Sequence, residues 1–346
     1  MNTHITQDQL NLMRSLPKAE VHAHLEGCFE AATLAQWAKE SGTPLPRPLE
    51  TLFQFEGLAD FLHFLDWACG LAATPERLAE LSYAYCQRLA QNGGGYADII
   101  INPTHWKAWH GRLGSMIDAI DAGFTAAEQD GLPSVGLCVS LLRTQTGDAA
   151  IELVDRLVAM HHPRIVALSI DGNEAAAGRT GSRFAEAFRR AGAAGLKRTV
   201  HAGESSGPEG VRDAIEMLGA DRIDHGVRAI DDPELVALLV EKQIPLGICP
   251  TSNLVLGVYP SLEQHPVEKL RRAGVLVSLN TDDPALLGAS LAGEYAICRQ
   301  AFEWSDSITC AVAHTSIDAC FANDDIKARL KVSLRNWETS RQTVIA

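Results

Sequence analysis

Short apolar and β-branched runs alternate along this chain with longer stretches whose apolar residues recur at helical spacing. The runs are AEVHAHLE (19–26), YADIII (96–101), SVGLCVS (134–140), RIVALSID (164–171), KRTVHAGE (197–204), DRIDHG (221–226), IPLGICP (244–250) and GVLVSLNTDD (274–283). Each is strand-like and is closed by polar residues or by Gly and Pro, the usual punctuation of strands. Between them the period changes. GPEGVRDAIEMLGA sets Val211, Ile215 and Leu218 on one helical face, and DDPELVALLVEKQ does the same with Leu235, Leu238 and Leu239.

Strands alternating with helices predict a parallel α/β sheet, and eight strands are the number that closes a (β/α)8 TIM barrel. An open doubly wound sheet is the alternative, but no glycine-rich dinucleotide or P-loop motif follows the first strand. The chain, 1–346, reads as a single domain without linker, repeat or low-complexity segment. Residues from about 28 to 92 form a long insertion after strand one, helical in pattern and placed to cap the mouth of the barrel.

Composition narrows the partners. A net charge of −13 repels phosphate backbones and anionic headgroups, which speaks against nucleic acid and membrane surfaces and for a small molecule. The eight cysteines are scattered without a CxxC pair and read as buried free thiols of a reducing compartment. The N-terminal stretch lacks the apolar core of a signal peptide, and no run approaches a membrane span, so a cytoplasmic protein is expected. A homo-oligomer is compatible with the sequence.

The metal-capable residues gather at the C-terminal ends of the predicted strands. His22 and His24 end strand one, His201 and Glu204 strand five, His225 strand six, and Asp282 with Asp283 strand eight. In a barrel those ends converge on one face. Alternation along a strand aims His22 and His24 into the same space, and His201 and Asp282 can add a third and a fourth ligand. Three imidazoles and a carboxylate with one open position suit catalytic zinc. Of the other histidines, His4 lies in the terminal segment, His161 and His162 in a polar loop. His63, His105 and His110 are placed to line a pocket or support it, while His265 and His314 have no nameable partner.

These residues carry a resemblance to the adenosine deaminase family of the amidohydrolase superfamily. The matching text is LPKAEVHAHLEG (16–27), SIDGNE (169–174), HAGE (201–204), RIDHG (222–226), ICPTSN (248–253) and SLNTDDP (278–284), which spans nearly the whole chain in order. The resemblance implies a barrel fold, one zinc ion and hydrolytic deamination at C6 of a purine. It implies that His22, His24, His201 and Asp282 bind zinc and that Glu204 gives a proton to purine N1. His225 would orient the attacking water and help deprotonate it, Asp283 would face N7, and a backbone amide at Gly172 would face N3. Glu26 and His24 would also border the substrate.

The chemistry is coherent apart from the name. Breaking an aromatic C–NH2 bond needs a strong nucleophile at neutral pH, which zinc supplies by lowering the pKa of water. Attack at C6 also needs a proton delivered to N1, so a carboxyl kept protonated by burial is required, and Glu204 is placed for it. Two-metal amidohydrolases carry a bridging lysine on strand four; RIVALSID has none. Two departures bear on substrate. HLEG replaces the HLDG usual in adenosine deaminases and resembles adenine deaminases and deaminases of modified adenosines, whereas the Gly-Asn-Glu of SIDGNE resembles the nucleoside enzymes. The sequence leans to adenosine or a related nucleoside, with adenine, or an N6-substituted or otherwise modified adenine or adenosine, as the alternative.

Overall fold

Strand runs that are apolar almost throughout belong to a sheet covered on both faces, and the computed structural model, which describes residues 5–345, shows how they are covered. His4 lies outside the described residues. Eight parallel strands follow one another in chain order: β1 (Lys18–His24), β2 (Gly94–Ile101), β3 (Ser134–Leu142), β4 (Ile165–Asp171), β5 (Lys197–Ala202), β6 (Arg222–His225), β7 (Leu246–Ile248) and β8 (Val277–Leu279). Helices in the crossovers wrap the outside, the (β/α)8 arrangement expected from the alternation.

The ring closes through residues beyond β8 rather than along it. Asn280 Oδ1 accepts the Val21 amide at 2.7 Å, the Asp282 carbonyl accepts the His24 amide at 2.7 Å, and the Asp282 amide donates to the His22 carbonyl at 3.1 Å. The backbone of one predicted ligand thus pairs with the strand that carries two others. Below this seam the barrel interior holds a fully buried ion pair: Arg222 on β6 donates to Asp98 on β2 at 2.7 Å and approaches Asp224 at 3.4 Å. A buried pair of this kind is costly to break from one side.

Residues 28–92 carry three α-helices, Ala31–Ser41, Leu58–Leu71 and Pro75–Gln91, with a single 3-10 turn at Leu49–Thr51 between the first two. The last begins with Thr74 accepting the Arg77 amide and a proline in its first turn, a standard helix start. The middle one, the cap helix, turns Phe61, Leu62 and Leu65 toward the barrel mouth. All eight cysteines are buried and free. No helix among the described residues is long and apolar enough to cross a membrane.

Candidate active site

Three imidazole Nε2 atoms and one carboxylate oxygen converge at the C-terminal mouth of the barrel. His201 Nε2 lies 3.0 Å from Nε2 of both His22 and His24, and Asp282 Oδ1 lies 3.4 Å from each of those two. A tetrahedral ion with bonds of about 2.0–2.1 Å sets its ligands roughly 3.3 Å apart, so the cluster has the size and donor set of a zinc site. The far ring nitrogens suit the same purpose. His22 Nδ1 donates to the Gly247 carbonyl at 2.9 Å, His24 Nδ1 lies 4.0 Å from Asp171 Oδ2, and His201 Nδ1 lies 3.5 Å from Asp224 Oδ2. The His22 bond leaves its Nε2 lone pair for a metal, whereas His201 Nδ1 is buried without a hydrogen-bond partner and only faces the Asp224 carboxylate. Asp282 Oδ2 accepts from Ser252 Oγ at 2.6 Å, which leaves Oδ1 for the cluster.

His225 also reaches this space. Its Nε2 lies 3.7 Å from Asp282 Oδ2 and 3.6 Å from Glu204 Oε1, and His22, His201, His225 and Asp282 each place one donor atom within 4.8 Å of the rest. Five residues therefore surround a space that a four-coordinate ion would fill. His225 stands on the Oδ2 side, whereas His24 faces the Oδ1 that His22 also faces. Two of these residues carry backbone strain: His225 has φ 65° and Asp282 φ 64°, left-handed values that cost a non-glycine residue about 1–3 kcal/mol.

The charges sort themselves by environment. Burial raises the Glu204 carboxyl, helped by Asp282 and Glu174, and it is pushed up to about 8. Glu174 earns its influence by geometry, accepting the amides of Gly203, Glu204 and Ser206 at 2.9, 3.1 and 3.3 Å and so fixing the loop after β5. Burial also lowers His225, with His22 adding to the effect, to about 4. The Asp282 carboxylate resists the rise that burial alone would bring, because His22, His225 and His24 hold it well below the usual range. Asp283 moves the other way under burial and the neighbouring carboxylates Asp282, Glu26 and Glu204.

The cleft above these groups holds about 660 Å³ out to its open mouth. His24, Glu26, Asp171, Gly172, Glu204, His225, Asp282 and Asp283 line its polar side, and Phe61, Leu62, Leu65 and Leu256 its apolar side. No lysine or arginine lines it. Every residue given a metal, catalytic or substrate role from the sequence lines this cleft except His22, which is 0% exposed; of the histidines placed to line or support a pocket, His105 lines it and His63 and His110 do not. Two glycines are required by the packing. A Cβ on Gly27 would stand 2.3 Å from Asp283, so the Glu26–Gly27 turn can lie against the Asp283 backbone only without a side chain. Gly172 has φ 98°, which a side chain at the cleft wall would oppose.

A sequence profile of the adenosine deaminase family matches residues 17–337. The chain belongs to the adenosine deaminase family. With the family comes the class of reaction, hydrolytic deamination. This deaminase is 30% identical over 333 residues to an adenine deaminase of Vibrio parahaemolyticus, covering 94% of this chain and 97% of that protein. It is 36% identical over 296 residues to an adenosine deaminase of Klebsiella pneumoniae, covering 83% and 88% of the two chains. Among solved structures, an amidohydrolase of Burkholderia ambifaria with bound zinc superposes with a TM-score of 0.90 at 28% identity, over 100% of this chain and 97% of that one.

The structure of this deaminase shows how Glu26 and His105 are held and adds Asn102, Trp106, Asp171, Ser252 and Asn253 to the residues given roles from the sequence. Glu26 is 1% exposed, and its Oε1 accepts from the Asn102 amide at 2.7 Å and from Trp106 Nε1 at 2.6 Å, while its Oε2 is buried without a partner. Asn102 also donates its side-chain amide to Asp171, which sits inside the SIDGNE motif and was readable there as a carboxylate at a strand end. His105 reaches the cleft and donates through Nδ1 to Asp66 of the cap helix at 3.0 Å, which tethers that helix to the loop after β2. Ser252 and Asn253 lie in ICPTSN, and His265 does have a partner, Asn253 Oδ1 at 3.1 Å. Asn102 and Trp106 left no signal in the sequence, because they matter only through what they do to Glu26.

Proposed function

We propose that this chain is a zinc-dependent hydrolase that replaces the C6 amino group of a 6-aminopurine with oxygen and releases ammonia. The observation that carries the reading is the convergence of His22, His24, His201 and Asp282 beside Glu204, a buried carboxyl pushed up to about 8. Bound there, one zinc ion would supply a water of lowered pKa in the space His225 and Glu204 face. Glu204 gives its proton to N1 as the water oxygen bonds to C6. The carboxylate so formed takes a proton from the water and passes it to N6. The C6–N6 electron pair leaves with ammonia, and the last hydroxyl proton returns to Glu204, so the side chain ends as it began. Asp283, whose carboxyl is pushed upward by burial and its acidic neighbours, lines the cleft where N7 would face it, and Gly172 lines the same cleft.

The same geometry supports a free base of the adenine type as the substrate, ahead of the nucleoside to which the sequence leans. Glu26 Oε2 is a buried acceptor that lacks a donor, and burial raises the carboxyl when nothing meets it. The N9–H of a free purine is a donor of the right kind, and a nucleoside has none at that atom. The apolar walls offer a sugar few partners, and a cleft without Lys or Arg offers a phosphate no cation. The nucleoside reading keeps one specific support: Asn173, Ser205 and His105 also line the cleft and can meet hydroxyls.

Ammonia release from adenine, adenosine, 2′-deoxyadenosine, N6-methyladenine and guanine tests the class directly, and turnover of none of the 6-aminopurines would defeat it. Glu26→Gln keeps the two bonds to Oε1 but turns an amide NH2 toward the substrate. The ratio kcat/KM for adenine over adenosine should then fall about tenfold, the scale of one lost hydrogen bond in a buried site. A ratio within about twofold of the wild type would place specificity elsewhere. The acid role of Glu204 sets a sign for pH: its proton is present below about 8 and lost above, so kcat should decline as pH rises through about 8. A flat profile from pH 7 to well above that value would exclude Glu204 as the acid.

A further inference from the structure

Hydrogen-bond direction can be read along a buried row of side chains that ends at His225. The row begins at a backbone amide, whose donor role is not negotiable. Val267 N–H donates to His265 Nδ1 at 3.3 Å, so that nitrogen carries no proton. The His265 proton must then sit on Nε2, which lies 3.1 Å from Asn253 Oδ1 and donates to it. The Asn253 amide is thereby oriented, and its Nδ2 donates across 3.3 Å to His225 Nδ1. Reversing the amide would leave His265 Nε2 accepting, would put its proton on Nδ1, and would set that proton against the Val267 N–H. Asn253, His265 and His225 are 0%, 1% and 1% exposed, so water is poorly placed to rescue the reversed arrangement.

A proton on His225 Nδ1 would likewise oppose the Asn253 NH2, and this excludes the imidazolium as well as the Nδ1–H tautomer. We propose that Asn253 and His265 are positioning residues that hold His225 as the Nε2–H tautomer, a donor toward the attacking water rather than the base that takes its proton. The inference rests on the deaminase reading for its function and on the row alone for its geometry. Two consequences follow. His225, with its Nε2 lone pair occupied by a proton, is the member of the five-residue cluster that does not ligate the metal, and His24 completes the set. The proton the water loses goes instead to the Glu204 carboxylate, which faces the same space at 3.6 Å from Nε2.

Nitrogen NMR of histidine-labelled protein, zinc-loaded and chelator-stripped, reads the tautomer without substrate, with His225 assigned by the signals lost in His225→Gln. The expected pattern is a protonated Nε2 and a bare Nδ1 in both samples. A proton on Nδ1, or Nε2 bound to metal in the loaded sample, would overturn the assignment. Asn253→Asp offers acceptors only and should drive the proton to Nδ1. It should then lower kcat by about tenfold or more while zinc content and KM stay within roughly threefold. Full kcat with a reversed tautomer would overturn the functional half. Should that variant not fold, the pair at His265 serves: His265→Gln keeps a donor for Asn253 Oδ1 and should retain the tautomer and most of kcat, while His265→Met should lose both. Equal behaviour of the two would count against the row. Failure of the deaminase reading is seen separately, as no ammonia from any 6-aminopurine whatever the NMR shows.

Discussion

Glu204→Gln should lower kcat by at least about 10², the lower range for loss of a general acid–base group. The amide matches the carboxyl in shape but cannot surrender a proton to N1 or carry one from water to N6. Its surroundings give no reason for the site to collapse. Glu174 holds the loop through the Gly203, Glu204 and Ser206 amides, none of which depends on the Glu204 side chain. Glu204 is also absent from the convergence of His22, His24, His201 and Asp282. Zinc content and KM should therefore stay close to the wild type, which separates lost chemistry from lost structure. Turnover within about threefold of the wild type would remove Glu204 from its role.

Removing the metal should abolish turnover, and one equivalent of zinc should restore it. Elemental analysis of the purified protein should find about one zinc per chain. His201→Ala should lose both metal and activity, because His201 Nε2 stands 3.0 Å from the Nε2 atoms of both His22 and His24 and its loss removes the imidazole that faces the two. Only one centre is expected because β4 ends in Asp171, and no lysine on that strand is available to bridge a second ion. Two tightly held metals, both needed for turnover, would overturn the mononuclear assignment.

The alternation of strand and helix was legible because strands buried on both faces must be apolar, and each of the eight runs became a strand within a few residues of its predicted bounds. The gathering of metal-capable side chains was legible for a related reason. A barrel brings strand ends together whatever its loops do, so histidines and carboxylates at those ends share a site once the strand order is known. His22, His24, Glu204, His225, Asp282 and Asp283 needed nothing more. What the sequence could not decide was how each group is held. Glu26 was recognisable as a carboxylate near the mouth, but the depth of its burial and its one unpartnered oxygen come from Asn102 and Trp106, more than seventy residues further along the chain. His265 looked like a residue without a role until folding set it against Asn253, and the proton position on His225 depends on that contact. Periodicity records which face of an element is buried, whereas protonation, tautomer and hydrogen-bond direction belong to pairs of groups distant in sequence, and only the tertiary structure chooses those pairs.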